Sequence, residues 1–220
     1  MMDVTTEIDA TAREVHGRTL PTGEARAAVL TRTYATDLED LWDACTSPER
    51  IPRWFLPVSG ELRVGRRFQL QGNAGGTIEW CDPPNGFRAT WEFGGSISWI
   101  ELRLTAIDES STRLELEHLA LADDDTWARF GPGAVGIGWE LGLGGLGLHL
   151  AGEERIDPQV AQAWTASEEG HRFMTESSQR WREAAVAGGI DPETARAWAA
   201  RTTAFYTGAP QPDQDAPNGA

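Results

Sequence analysis

Residues 131–150 read GPGAVGIGWELGLGGLGLHL: eight glycines in twenty positions, with Glu140 the only carboxylate. This segment limits the possible folds more than any other. It opens with a literal G-x-G-x-x-G at Gly131, Gly133 and Gly136. A dinucleotide loop needs a buried strand before the glycines, a helix after them and an acidic residue closing a second strand. Here the preceding residues are DDDTWARF, Pro132 falls inside the match, and no second strand follows. A membrane span needs about 20 predominantly apolar residues. Glu140 in mid-segment and six glycines between 136 and 147 oppose that. The remaining reading is a core helix opened by Gly131–Pro132. Val135, Trp139, Leu143, Leu146 and Leu150 then form one apolar stripe. Ala134, Gly138, Gly142 and Gly145 form a bare stripe beside it, flanked beyond by Ile137, Leu141 and Leu148. Six interior glycines cost about 5 kcal/mol of helix propensity relative to alanine, so tertiary packing must offset that. The bare stripe predicts either an unusually close approach to a sheet or a space left by the missing side chains.

The sheet is legible upstream. The turn PTGE joins REVHGRTL to ARAAVLTRTYA and predicts a hairpin whose second arm runs near 25–35. Asp37 caps a helix ending near Thr46; Ser47 and Pro48 then open a short one that ends at Trp54 and Phe55. FQLQ (68–71), GTIEWC (76–81), FRATWEF (87–93), SWIELRLTAI (98–107) and TRLELEHLA (112–120) follow as strands, with DPPNG turning the chain at 82–86. Ala89, Trp91 and Phe93 share a face, as do Ile100, Leu102 and Leu104, and Leu114, Leu116 and His118. Charged residues occupy the opposite faces, the pattern of an antiparallel meander with one dry side. The Gly-Trp helix is the only long element available to cover it. Two Asp-Pro starts and SEEGHRFMTESSQRWREAAVAGG predict a helical extension over 153–208. Residues 1–13 read as a loose tail and 209–220 as disordered.

The formal charge of −15 disfavours nucleic acid and anionic membranes. All 19 basic residues are arginine, which excludes Schiff-base and P-loop lysines. Cys45 and Cys81 match no zinc spacing, and the amino terminus has no apolar signal core. The expectation is a cytoplasmic protein with no metal, no cofactor and no membrane insertion. Asp123–Asp125 lack the glycine and terminal glutamate of a calcium loop. Of four histidines, His118 alone points inward by alternation. It is the one acid/base candidate, against an ordinary role as a hydrogen-bonded core residue. Of the ten tryptophans, Trp54, Trp80, Trp91 and Trp139 are candidates for a rigid aromatic lining.

Several motifs in order resemble one superfamily: RTYATDLEDLWDACTSPERIPRWF, GTIEWCDPPNGFRATWEF, TRLELEH and the Gly138–Trp139 pair. From about 25 to 152 the chain resembles the SRPBCC (START-like, helix-grip) superfamily, and within it the bacterial activator of heat-shock-protein ATPase homologue (Aha-type) group. That resemblance implies an α+β helix-grip domain over 14–152, with a curved seven-stranded antiparallel sheet around the long glycine-rich helix and a hydrophobic cavity between them. The expected function is binding of a small hydrophobic or aromatic molecule without defined catalysis. The expected contacts are Trp54, Trp80, Trp91, Phe93, Leu102, Leu116, His118, Gly138, Trp139, Gly142 and Leu143. Two alternatives stand beside it. One is a polyketide cyclase or aromatase-like enzyme with His118 as its acid/base group. The other is a protein-interaction or chaperone-regulating module, or a homodimer, using 155–208; the same extension could instead cover the cavity mouth.

Overall fold

The computed structural model describes residues 3–153 and 155–212. Residues 213–220, most of the expected disordered tail, lie outside them. The chain begins with α1 (Val4–Asp9), capped by the Asp3 side chain, and not with a loose tail. Val4 and Ile8 are buried against Phe173, and this apolar pair in an otherwise polar stretch is what orders the segment. The hairpin β1 (Thr11–Leu20) and β2 (Gly23–Tyr34) follows.

Asp37 accepts from the Asp40 N–H and starts α2 (Leu38–Thr46). The next helix is shorter than expected: α3 runs only Ile51–Trp54, with Arg50 at its N-cap and no side-chain cap bond. Ser47 instead closes α2, its backbone N–H bonding to the Asp43 carbonyl.

Six strands complete the sheet: β3 (Val58–Gly60), β4 (Arg67–Leu70), β5 (Gly75–Asp82), β6 (Gly86–Phe93), β7 (Ser96–Asp108) and β8 (Ser111–Leu121). Their order is β1-β2-β8-β7-β6-β5-β4-β3, antiparallel throughout. The sheet is curved and has eight strands, counting the three-residue β3 at its edge, where the resemblance implied seven. Asp124 caps α4 (Asp125–Phe130), so the aspartate run is a helix start.

The long helix α5 spans Gly133–Leu150, and none of its residues is exposed. Tyr34 on β2 ties it to the sheet by donating to the Leu143 carbonyl at 2.9 Å. The extension forms α6 (Pro158–Thr165), α7 (Glu168–Ala187) and α8 (Pro192–Thr207), capped by Asp157, Ser167 and Asp191. Gly208 ends α8 in the left-handed conformation that glycine adopts without strain.

A buried charge cluster holds the extension to the helix. Glu140 accepts from Arg13 Nε (2.8 Å) and Nη2 (2.6 Å), the Ser177 hydroxyl (3.0 Å) and the Trp181 indole N–H (2.6 Å). A carboxylate buried in mid-helix is stable only when its acceptor sites are filled in this way. One residue thus joins β1, α5 and α7.

Candidate functional site

A cavity of about 340 Å³ lies between the inner face of the sheet and the α2, α3 and α5 helices. Every strand from β3 to β8 contributes to its wall, as Val58, Phe68, Ile78, Phe87, Leu102 and Leu116 illustrate. From the helices come Trp42 and Cys45 (α2), Trp54 (α3), and Trp139 and Leu143 (α5). Among the described residues, seven aromatic side chains line it and no charged one does.

Short-range geometry fixes the helical side of the wall. The Trp54 indole donates to the Ala44 carbonyl at 2.9 Å, seating α3 on α2. Trp54 and Phe55 stack at 5.4 Å between ring centroids, and Phe55 and Trp139 at 5.7 Å with planes 19° apart. Trp139 meets Trp91 at 4.9 Å. The bare stripe of α5 is therefore occupied. A β-carbon at Gly142 would lie 3.3 Å from the Phe55 ring, and one at Gly145 would lie 2.7 Å from the Trp54 carbonyl oxygen. The glycines admit α3 to close range, and the open space lies beyond the aromatic rings, toward the sheet.

Of the residues expected at the site, Trp54, Trp91, Leu102, Leu116, Trp139 and Leu143 line the cavity. The others do not. Trp80 is 41% exposed on the outer side of the sheet. The β5–β6 register shifts between Ile78 and Trp80, and this bulge reverses the alternation, so Cys81 takes the inward position that strict pairing gave to Trp80. Phe93 is 59% exposed where β6 ends and the Gly94–Gly95 turn begins, beyond the reach of any cover. Gly138 faces the Tyr206 hydroxyl of α8, and Gly142 backs onto Phe55.

His118 is buried but lies behind the wall. Its Nδ1 accepts the Trp139 indole N–H at 3.0 Å, and its Nε2 is 3.0 Å from the Ser98 hydroxyl. An indole N–H only donates, so Nδ1 is unprotonated and the proton sits on Nε2, which donates to Ser98. Ser98 in turn donates to the Trp91 carbonyl at 3.1 Å. Burial lowers the imidazole pKa from 6.5 to about 4. Both ring nitrogens are committed, which leaves none for acid/base work in the cavity.

Sequence reasoning missed Trp42, Phe55, Phe68 and Phe87, and both cysteines. Trp42 and Phe87 meet edge to face at 6.5 Å. Phe68 and Phe87 alternate inward on their strands, and that signal was available. Among the described residues, Cys45 and Cys81 are the only titratable side chains on the cavity wall. Burial pushes the Cys45 thiol up to about 12, and burial and the neighbouring Asp82 carboxylate raise that of Cys81. Both are thiols rather than thiolates at neutral pH, and so poor nucleophiles. Among the described residues no helix is long and apolar enough to cross a membrane.

Comparison with known proteins places this geometry in a family. A model of the Activator of Hsp90 ATPase homolog 1-like protein family matches residues 35–150, from just before α2 to the end of α5. No curated protein sequence matches the chain. Among solved structures, the crystal structure of CalU16 from Micromonospora echinospora is 35% identical, with a TM-score of 0.66; the match covers 80% of this chain and 98% of CalU16. The solution structure of CalU16 gives 35% identity and a TM-score of 0.68, covering 81% and 97%. Protein MLL2253 from Mesorhizobium loti is 23% identical over 57% of this chain and 97% of its own, with a TM-score of 0.52, a likeness of fold alone. The CalU16 match extends well past the family segment, so that relative shares part of what surrounds residues 35–150. The chain belongs to the Activator of Hsp90 ATPase homolog 1-like family, with the α+β helix-grip fold of the SRPBCC superfamily.

Proposed function

We propose that this protein binds a small, uncharged hydrophobic or aromatic molecule in the cavity between its sheet and α2, α3 and α5, without performing chemistry on it. One observation carries this reading: about 340 Å³ of space walled by seven aromatic rings and aliphatic side chains, with no charge. Protein interiors are normally packed with few voids larger than a water molecule. A space of this size falls in the range of small-molecule pockets. Its apolar wall favours ligands that lose little hydration on entry. The wall offers no carboxylate, imidazole or guanidinium to move a proton, and its two thiols are held protonated, so the site supports binding rather than turnover.

The test uses N-phenyl-1-naphthylamine, a neutral fluorescent probe. It should give saturable enhancement and slow the alkylation of Cys81 by iodoacetamide at alkaline pH. Leu62→Trp, at a half-buried lining position, should reduce both effects while the fold persists. No saturable signal in the folded protein, or a signal indifferent to Leu62→Trp, would refute the proposal.

A further inference from the structure

One residue holds the Trp91–Trp139 part of the aromatic wall from behind. Trp139 sits on a helix whose neighbouring positions three residues before and after it are Gly136 and Gly142. On a helix surface those positions normally supply side chains that brace a large ring. Here Gly136 is covered by Trp181 and Gly142 by Phe55, so α5 itself flanks the indole only with Val135 and Leu143, four residues before and after it. The polar hold on the ring comes from the sheet. His118 on β8 accepts the indole N–H at 3.0 Å, Ser98 on β7 accepts from the His118 Nε2–H at 3.0 Å, and the Ser98 hydroxyl donates to the Trp91 carbonyl at 3.1 Å. The rings of Trp91 and Trp139, 4.9 Å apart, both also lie 6.2 Å from the imidazole. His118 is 3% exposed and is not itself part of the cavity wall. It touches no ligand and acts only through the tryptophans.

We propose that His118 is the specificity-determining positioning residue of the cavity: by holding the Trp139 indole from behind it locks Trp91, Trp139 and Phe55 into one rigid surface, and that surface selects planar, uncharged aromatic ligands over non-planar aliphatic ones of the same size. This rests on the binding reading above. The physical reason is that rings with fixed planes offer offset or edge-to-face contacts to a flat π-system, which a mobile ring offers only after an entropy loss. An aliphatic ligand needs apolar area and is indifferent to ring orientation.

The experiment compares anthracene with its saturated counterpart perhydroanthracene, each displacing N-phenyl-1-naphthylamine from the full chain. The wild type should prefer anthracene by about two- to tenfold, the range expected of aromatic pairing. His118→Leu removes the acceptor and should erase that preference, leaving perhydroanthracene affinity within about twofold. The near-ultraviolet circular dichroism of the Trp91–Trp139 pair should weaken in the same variant. His118→Gln retains an acceptor and should restore both. If His118→Leu fails to fold, Trp139→Phe keeps a ring but has no N–H, and it should lose the preference in the same way. A wild type that binds both probes without preference, or variants in which both affinities change in equal proportion, would overturn the positioning role and leave the binding reading standing. A wild type that binds neither overturns both.

Discussion

Gly136→Ala and Gly138→Ala lie two residues apart on α5, and should have opposite effects. Alanine in a helix interior normally gains about 0.8–1 kcal/mol over glycine. At Gly138 a new β-carbon meets only the Tyr206 hydroxyl, at 3.3 Å, and the phenol must give by a few tenths of an ångström while keeping its 2.9 Å bond to the Ala134 carbonyl. That small concession takes back part of the gain, so Gly138→Ala should stabilise the protein by at most about 0.5–1 kcal/mol. At Gly136 the β-carbon would fall 2.2 Å from Cε2 of Trp181 and 2.4 Å from its Nε1. That ring is buried, and its N–H is bonded to Glu140 at 2.6 Å. Relief requires the ring to move by more than an ångström, which strains the Glu140 bond. Overpacking costs about 1–3 kcal/mol, and a weakened bond to a buried charge costs about as much again. Set against the propensity gain, Gly136→Ala should destabilise by about 2 kcal/mol or more. In a chain of this size that lowers Tm by about 4–8 °C, while Gly138→Ala raises it by about 1–3 °C. Urea titration followed by tryptophan fluorescence, with thermal melts by circular dichroism, measures both. If Gly136→Ala proved as stabilising as Gly138→Ala, the glycine at 136 would not be there to admit a ring, and the packing argument for this helix would fail.

Two further outcomes follow from buried polar groups. His118 stays neutral down to about pH 4 in the native protein, whereas an unfolded histidine protonates near 6.5. Between those values the unfolded chain binds the extra proton, so stability falls as pH drops through that window, by about 3 kcal/mol in total, and is unaffected by His118 above it. His118→Leu should flatten that part of the urea-derived stability profile between pH 7 and 4, and an identical slope in both proteins would refute this account. Glu140→Gln leaves the Arg13 guanidinium buried without its counter-charge. It should cost about 3–5 kcal/mol by urea unfolding while leaving probe affinity intact in the folded fraction; a loss under 1 kcal/mol would contradict the role given to this cluster.

Alternation and capping made most of the fold readable. Asp37, Asp157, Asp191 and Gly208 stand where their helices begin and end, because cap chemistry is local. Inward parity on β6, β7 and β8 put Trp91, Leu102 and Leu116 on the wall. Parity failed where the backbone broke the period. The bulge between Ile78 and Trp80 carries no turn residue of its own, and Phe93 keeps the right parity but lies past the edge of the cover. The helix at residues 4–9 was missed because its two buried apolar residues find their partner, Phe173, far along the chain. In the sequence, Glu140 speaks only against membrane insertion. Its partners come from β1 and α7, and no local pattern announces a contact across 127 residues.

The glycine content of α5 follows from its being covered on more than one side. A helix covered on one side can carry large residues there and polar ones opposite. Here the sheet and α3 meet one part of the helix, while Trp181 of α7 sits on Gly136 and Tyr206 of α8 faces Gly138. Trp198 of α8 seals the approach, its ring against Gly131 and its indole bonded to the Ala128 carbonyl at 2.9 Å. An apolar residue at each of these positions would hold the partners apart; a polar one would be buried without a partner. Glycine lets several elements close on one rod, and their packing repays the propensity lost. The extension therefore forms a back wall to α5 and not a lid: no residue of α6, α7 or α8 lines the cavity. The way into the cavity therefore does not run through the extension, whose contacts with Gly131, Gly136 and Gly138 instead hold α5, the helix that carries Trp139, in place.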